Sequence, residues 1–403
     1  MPLPRTPGSV DSGARNAPHL RVLNRDRILT AAMDRAEPFT RSELIQATGL
    51  SAPTVGELST ELLRAGLLRD LGTGPSRGGR RPSFMEFDAR SGFVLGIGLG
   101  ATRTHLAVAD MRNERLAHRE MPTPSTAGPG RMLSQLAGWA RSLLEDVGVS
   151  RDKLLAIGVG IPGRVDYARG VVIDRTPNLK GWSSVSIGDT LSRTLGAPVL
   201  VENDVNMAVL GEHWKGVAQG HDTCVFIHVG TGIGAGVLID GRLHRGHNFL
   251  AGEIGLSCLG PQFVEQDFGT RGCLETLAGM SAVLSHARGN WSDAGELLSA
   301  AAKQDAAAVR ALKDAATLIG IATANLSLAI DPSMVVLGGA LAAHQKFVAE
   351  IRRVVERVIV QSPQIVVSGL EREATLWGSL LVAARAARTL LRQRLSGDRA
   401  LGS

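Results

Sequence analysis

Between residue 21 and about residue 70 the apolar side chains recur every three or four positions, broken at Glu37-Pro38 and again at Gly49, a pattern that predicts three short helices. Residues 1–20 have little apolar content and much Pro, Gly and Ser, and are expected to form a disordered tail. Beyond Gly92 the rhythm changes to short apolar runs: Phe93 to Ile97, His105 to Ala109, Leu155 to Val159, Val199 to Glu202, Cys224 to Val229, Gly234 to Ile239 and Met334 to Leu337. Helical stretches separate them, including a long one from Ala306 to Ile330 and a last one from Ala374 to Arg394. Strands alternating with helices predict an α/β module over residues 91–403, behind a helical head over residues 21–90.

Within the head, a helix from Arg41 to Thr48 meets a turn at Gly49-Leu50-Ser51. Ser51 suits the N-cap of the next helix, whose Val55, Leu58 and Leu62 share one face. This is helix, tight turn, helix. The opposite face, with Ser51, Ala52, Pro53, Thr54, Glu57 and Thr60, is expected to lie in the major groove of duplex DNA with the helix N-terminus near the phosphates. Residues 67–88 then read as two strands around a glycine-rich loop that carries Arg77, Arg80 and Arg81, the composition of a β-wing. Because the exposed helix face holds no Arg or Lys, those loop arginines are expected to supply most of the phosphate affinity.

Composition narrows the class further. The chain has 403 residues, enough for two or three domains and a sizeable core. Lys and Arg exceed Asp and Glu by 44 to 38, giving +6, and an Arg excess that base composition also produces lends an anionic partner only slight support. Three cysteines, Cys224, Cys258 and Cys273, do not suggest a disulfide framework, so a reducing, cytoplasmic setting is expected. Neither a membrane-length apolar run nor a signal-peptide core is present, and no membrane partner is expected.

Two glycine turns in the α/β module have the form of phosphate loops. One contains Gly98, Gly100 and Thr102; the other contains Gly230, Thr231 and Gly232. Each alone is weak evidence. They stand in order with GVGIPGRVD (158–166), TPNLKGW (176–182), ENDVNMAVLGE (202–212), AGEIG (251–255), GCLE (272–275) and DPSMVVLGGAL (331–341). With these motifs the chain from about Arg21 to its C-terminal helix resembles the ROK family, named for repressor, open reading frame and kinase.

The resemblance implies a two-lobed actin-like and hexokinase-like module, ribonuclease H-like in its sheets, with the C-terminal helix returning to the first lobe. A preceding winged helix-turn-helix matches the family's transcriptional regulators. Carried over residue by residue, the sugar-hydroxyl contacts fall on Asn178, Asn203, Asp204, Glu253 and Glu275, residue types that can each serve two neighbouring hydroxyls. Asp204 matches the general base of the family kinases.

Three departures bear on activity. The first loop of the kinases opens with Asp, and here Gly98 stands in that place, leaving no carboxylate to help hold Mg²⁺. Leu256 replaces a His after AGEIG that in the family contacts the sugar and joins a structural zinc site. Gln266 and Phe268 replace a Cys-x-Cys pair, leaving Cys273 as the only matching thiol of a family zinc site, so no metal and no cofactor are expected.

The expected function is therefore a DNA-binding regulator of carbohydrate-related genes, a repressor rather than an activator. It would sense a sugar or sugar derivative through a kinase fold that no longer phosphorylates, and work as a homodimer or higher homo-oligomer on double-stranded operator DNA. An active ATP-dependent sugar kinase with an attached DNA-binding domain is the alternative, kept open by Asp204 and the second loop. A third reading is a kinase-derived scaffold that only dimerises.

Overall fold

The computed structural model describes residues 13–73, 82–174, 179, 181–286 and 291–396. Two compact units result. The smaller takes the chain up to Gly92, residues 110–112 and the chain from Ala387; the larger takes Phe93–Ala109 and Asn113–Ala386. Sequence patterning assigned everything after residue 90 to the module, so the last turns of the C-terminal helix lie in a different unit from the one expected.

The smaller unit begins with α1 (Gly13–Met33), β1 (Phe39–Thr40), α2 (Arg41–Thr48), α3 (Ala52–Arg64), β2 (Leu68–Thr73) and β3 (Ser83–Phe87). Helix α1 starts inside the segment expected to be disordered. That expectation is corrected from Gly13 onward: buried Ile28, Leu29 and Ala32 anchor the helix, and Pro18 near its start removes one backbone donor without stopping it. Thr40 and Glu43 form a reciprocal capping box at the head of α2, and Gly49 ends that helix at φ 65°, the left-handed region that favours glycine. Val55, Leu58 and Leu62 are buried with Leu44 and Phe39. The strands form a sheet of order β1-β3-β2 with antiparallel pairs.

The larger unit holds two five-stranded sheets. The first is built from β4 (Phe93–Leu99), β5 (Arg103–Asp110), β6 (Arg115–Pro122), α4 (Pro129–Asp146), β7 (Leu154–Ile161), β8 (Arg164–Asp166), β9 (Val171–Asp174), β10 (Val185–Ser186), α5 (Ile187–Leu195) and β11 (Val199–Asn203). Its strand order is β11-β7-β4-β5-β6, and β8, β9 and β10 form a separate small sheet. The second follows from α6 (Asp204–Lys215), β12 (Cys224–Val229), β13 (Ile233–Ile239), β14 (Arg242–Leu243), α7 (Cys273–Ala278), α8 (Met280–His286), α9 (Ala294–Ala302), α10 (Ala306–Ile330), β15 (Met334–Gly338), α11 (Gln345–Val358), β16 (Gln364–Val367) and α12 (Ala374–Ser396). Here the order is β14-β13-β12-β15-β16.

Helix α12 packs on the first sheet and on α6 at backbone distance. A Cβ on Gly158 would sit 2.0 Å from the Ser379 carbonyl oxygen, and one on Gly378 would sit 1.8 Å from that of Met207, so only glycine allows these approaches. Ser379 Oγ donates to the Ile97 carbonyl at 3.0 Å, and Thr375 Oγ1 donates to the Asp204 carbonyl at 3.0 Å. From Ala387 on, the helix belongs to the smaller unit, where Arg392 pairs with Asp26 at 3.2 Å and Arg25 donates to the Leu395 carbonyl.

Candidate functional site

The junction of β11 and α6 organises a cavity in the larger unit. Asn203 ends the strand and caps the helix: its Oδ1 accepts from Val205 N and Asn206 N at 2.9 and 3.0 Å, and its Nδ2 donates to the Gly163 carbonyl at 3.0 Å. The cavity is lined by Gly163, Val165, Glu202, Asn203, Val205, Asn206, Gly234, Ala235, Arg245, Phe249, Ala251, Gly252 and Glu253. Its volume is about 30 Å³, room for little more than a water molecule.

Asp204 opens α6 with Oδ1 accepting from Val205 N at 3.0 Å. Burial, and after it the neighbouring Glu253 carboxylate, push its pKa up from 3.8 to about 7. Beside it Glu202 is buried and accepts from Asn203 N at 2.9 Å, Asn206 Nδ2 at 3.0 Å and Arg245 Nε at 2.5 Å. The Arg245 guanidinium lies 4.1 Å from the centre of the Tyr167 ring, which also packs nearly perpendicular to the Phe249 ring with centres 6.0 Å apart.

Of the five residues matched to sugar contacts, Asn203 and Glu253 line this cavity and Asp204 stands next to them. Glu275 is not among the lining residues: its Oε2 accepts from Ile233 N at 3.0 Å, holding the second glycine loop at the start of β13, next to lining Gly234. Asn178 lies outside the described residues. Sequence matching missed Glu202, Asn206, Arg245 and Phe249. The first two sit in the ENDVN run beside the residues that were named, which is the signal that could have found them.

The first glycine loop is a tight turn, Gly100 N donating to Arg103 O at 2.9 Å and Thr123 N to Thr102 O at 2.9 Å. Gly98 lies on β4 against α12, and a Cβ there would stand 3.2 Å from Leu376 N. In the second loop Gly230 N donates to Gly232 O at 3.0 Å. Below it lies His228, whose pKa burial lowers to about 4, so the imidazole is neutral at physiological pH.

At the positions of the family's zinc ligands, Leu256 is 38% exposed and the Phe268 ring meets Phe263 edge-on at 6.1 Å. Cys273 is buried, and the exposed Cys258 thiol donates to the Gly260 carbonyl at 3.3 Å. Among the described residues no group of three or more His, Cys, Asp or Glu is placed to hold a metal ion.

In the smaller unit, Ser51, Ala52, Pro53 and Glu57 are exposed, with Thr54 and Thr60 half-buried. Ser51 Oγ accepts from Thr54 N at 3.4 Å and caps α3. Two cations unanticipated from sequence border this face: Arg21 pairs with Glu57 at 2.5 Å and with Glu61 at 2.9 Å, and Arg41 donates to Thr60 Oγ1 at 3.4 Å. Arg77, Arg80 and Arg81 lie outside the described residues, between the ends of β2 and β3.

The chain is 28% identical over 355 residues to the xylose repressor of Caldicellulosiruptor bescii, covering 84% of this chain and 88% of that protein. A ROK hexokinase from Thermus thermophilus superposes with a TM-score of 0.63 at 34% identity, covering 74% of this chain and 99% of its own. A ROK family transcriptional regulator homologous to the E. coli MLC protein superposes with a TM-score of 0.75 at 22% identity over 94% of this chain and 99% of its own, a likeness of fold. The sequence profile of the ROK family matches residues 94–385, nearly the whole α/β module, and the chain belongs to that family.

Proposed function

We propose that this protein is a sugar-responsive transcriptional repressor. The smaller unit would be a winged helix-turn-helix that binds operator DNA, and the cavity beside Asn203 and Glu253 would bind an aldose, with D-xylose the first candidate. The observation that carries the reading is the pairing within one chain of an exposed, Ser51-capped helix behind a left-handed Gly49 turn with a kinase-type pocket that lacks the first-loop carboxylate. A repressor relative that aligns over 84% of the chain supports it.

The mechanism follows from two quantities. The cavity of about 30 Å³ is small for a sugar, so sugar binding is expected to move its walls. A ligand that favours one arrangement of the walls can then shift DNA affinity by its differential binding, with typical couplings of about 1–3 kcal/mol. Two-fold operators call for a homodimer. Sugar binding is expected to release the DNA; the test is operator binding measured with and without D-xylose.

Asp204 favours a second reading, an active sugar kinase, because a carboxyl titrating near 7 at the start of α6 suits a general base. A coupled assay with ATP and common aldoses separates the two: turnover at about 1–100 per second supports the kinase, and its absence with intact sugar binding supports the repressor.

A further inference from the structure

Asn206 lies in the first turn of α6, is 7% exposed and lines the cavity. Its Nδ2 donates to Glu202 Oε1 at 3.0 Å, and Glu202 is itself fixed by Asn203 N and by Arg245 Nε at 2.5 Å. The amide is thereby oriented with its nitrogen towards the carboxylate and its oxygen away from it. Asn206 Oδ1 meets no hydrogen-bond donor among the described residues. A buried amide oxygen in that condition costs free energy that a donor from a ligand would recover. The wall beside it is a held conformation: Phe249 sits at φ 56°, which a bulky side chain rarely adopts, with its ring nearly perpendicular to that of Tyr167.

We infer that Asn206 is a ligand-contacting residue that sets specificity, its Oδ1 accepting a hydrogen bond from a hydroxyl of a neutral, polyhydroxylated ligand, with Glu202 and Arg245 holding it in place. This rests on the sugar-sensing reading and adds the chemistry that the pocket selects. A carboxylate or phosphate at this position would present an acceptor to an acceptor. It would also enter a cavity lined by the carboxylates of Glu202 and Glu253 against the single guanidinium of Arg245. An aldose lacking the matching hydroxyl leaves Oδ1 buried without a donor and binds less well.

Calorimetric titration of the full chain tests this with D-xylose, D-glucose, their monodeoxy analogues, D-glucuronate and glucose 6-phosphate. At least one neutral aldose is expected to bind, and loss of one particular hydroxyl is expected to weaken it at least about tenfold. Asn206→Leu should shrink that penalty to below about threefold while leaving the penalties at other hydroxyls in place. Asn206→Ser, which keeps an acceptor, should retain part of the penalty and carries the test if the Leu variant does not fold. Equal deoxy penalties in wild type and variants overturn the role of Asn206 and leave sugar sensing standing. Binding confined to the two anionic sugars overturns selection for a neutral ligand, and binding by none of the panel overturns the sugar-sensing reading and this inference with it.

Discussion

Gly98 sets apart the repressor reading from the kinase reading at the scale of a single residue. The resemblance to the family kinases implies a carboxylate at this position, and the backbone of α12 closes over it, with Leu376 N only 3.2 Å from where a Cβ would be. Restoring the acid by Gly98→Asp is therefore predicted to destabilise the fold by about 1–3 kcal/mol through overpacking, and to produce no ATP-dependent phosphorylation. Urea denaturation and a coupled assay check both parts; a stable variant that turns over sugar would contradict them. Asp204 carries a second prediction at this scale. Its folded-state pKa, about 7, lies above the unfolded value, so between about pH 4 and 7 the folded chain holds a proton that the unfolded chain has lost. The stability contributed by this residue is present at low pH and declines as pH rises through that window. Relative to wild type, Asp204→Asn is predicted to gain on the order of 2–3 kcal/mol between pH 5 and pH 8, about two pH units at 1.36 kcal/mol each. A pH-independent difference in unfolding free energy would contradict the assignment.

Among the elements, α3 and the strands that follow it carry the DNA-binding reading. Ser51→Ala removes the cap and is predicted to cost about 1 kcal/mol of stability, measured by thermal or urea unfolding. The β2–β3 hairpin is expected to contribute through its loop. Arg80→Ala with Arg81→Ala should weaken binding to all duplexes alike and lower the slope of log affinity against log salt by about 2, one phosphate contact per arginine. Unchanged affinity and slope would remove the wing from the interface. The amphipathic side of α3 was legible in sequence because Val55, Leu58 and Leu62 repeat at helical spacing, and the buried strands β4, β7 and β12 because they are short apolar runs. Strand β6 escaped notice since it is an edge strand, Arg115–Pro122, whose charged side chains face solvent and break the apolar pattern. The cavity was legible only in part. Asn203 and Glu253 stand in recognisable motifs, whereas the Arg245–Glu202 pair joins residues 43 positions apart and leaves no local pattern to read. Arg21 and Arg41 were missed for the same reason, as they reach the exposed side of α3 from α1 and from the start of α2.

For the whole molecule, one helix contributes to both units. The first turns of α12 meet the candidate site, Thr375 Oγ1 donating to the Asp204 carbonyl, and its last turns, from Ala387 on, are held in the smaller unit by Asp26 and Arg25. A repressor needs linkage between sugar and operator, and that linkage is reciprocal: a sugar that weakens DNA binding tenfold is itself bound tenfold more weakly by the DNA-bound protein, a coupling of about 1.4 kcal/mol. Fluorescence-anisotropy titration of the full chain against DNA from upstream of its own gene and neighbouring genes, at fixed salt, with and without saturating D-xylose, tests the central claim most directly. Specific binding that D-xylose weakens by about tenfold or more is the predicted result. Absence of specific DNA binding, or an affinity that D-xylose leaves unchanged, would contradict it.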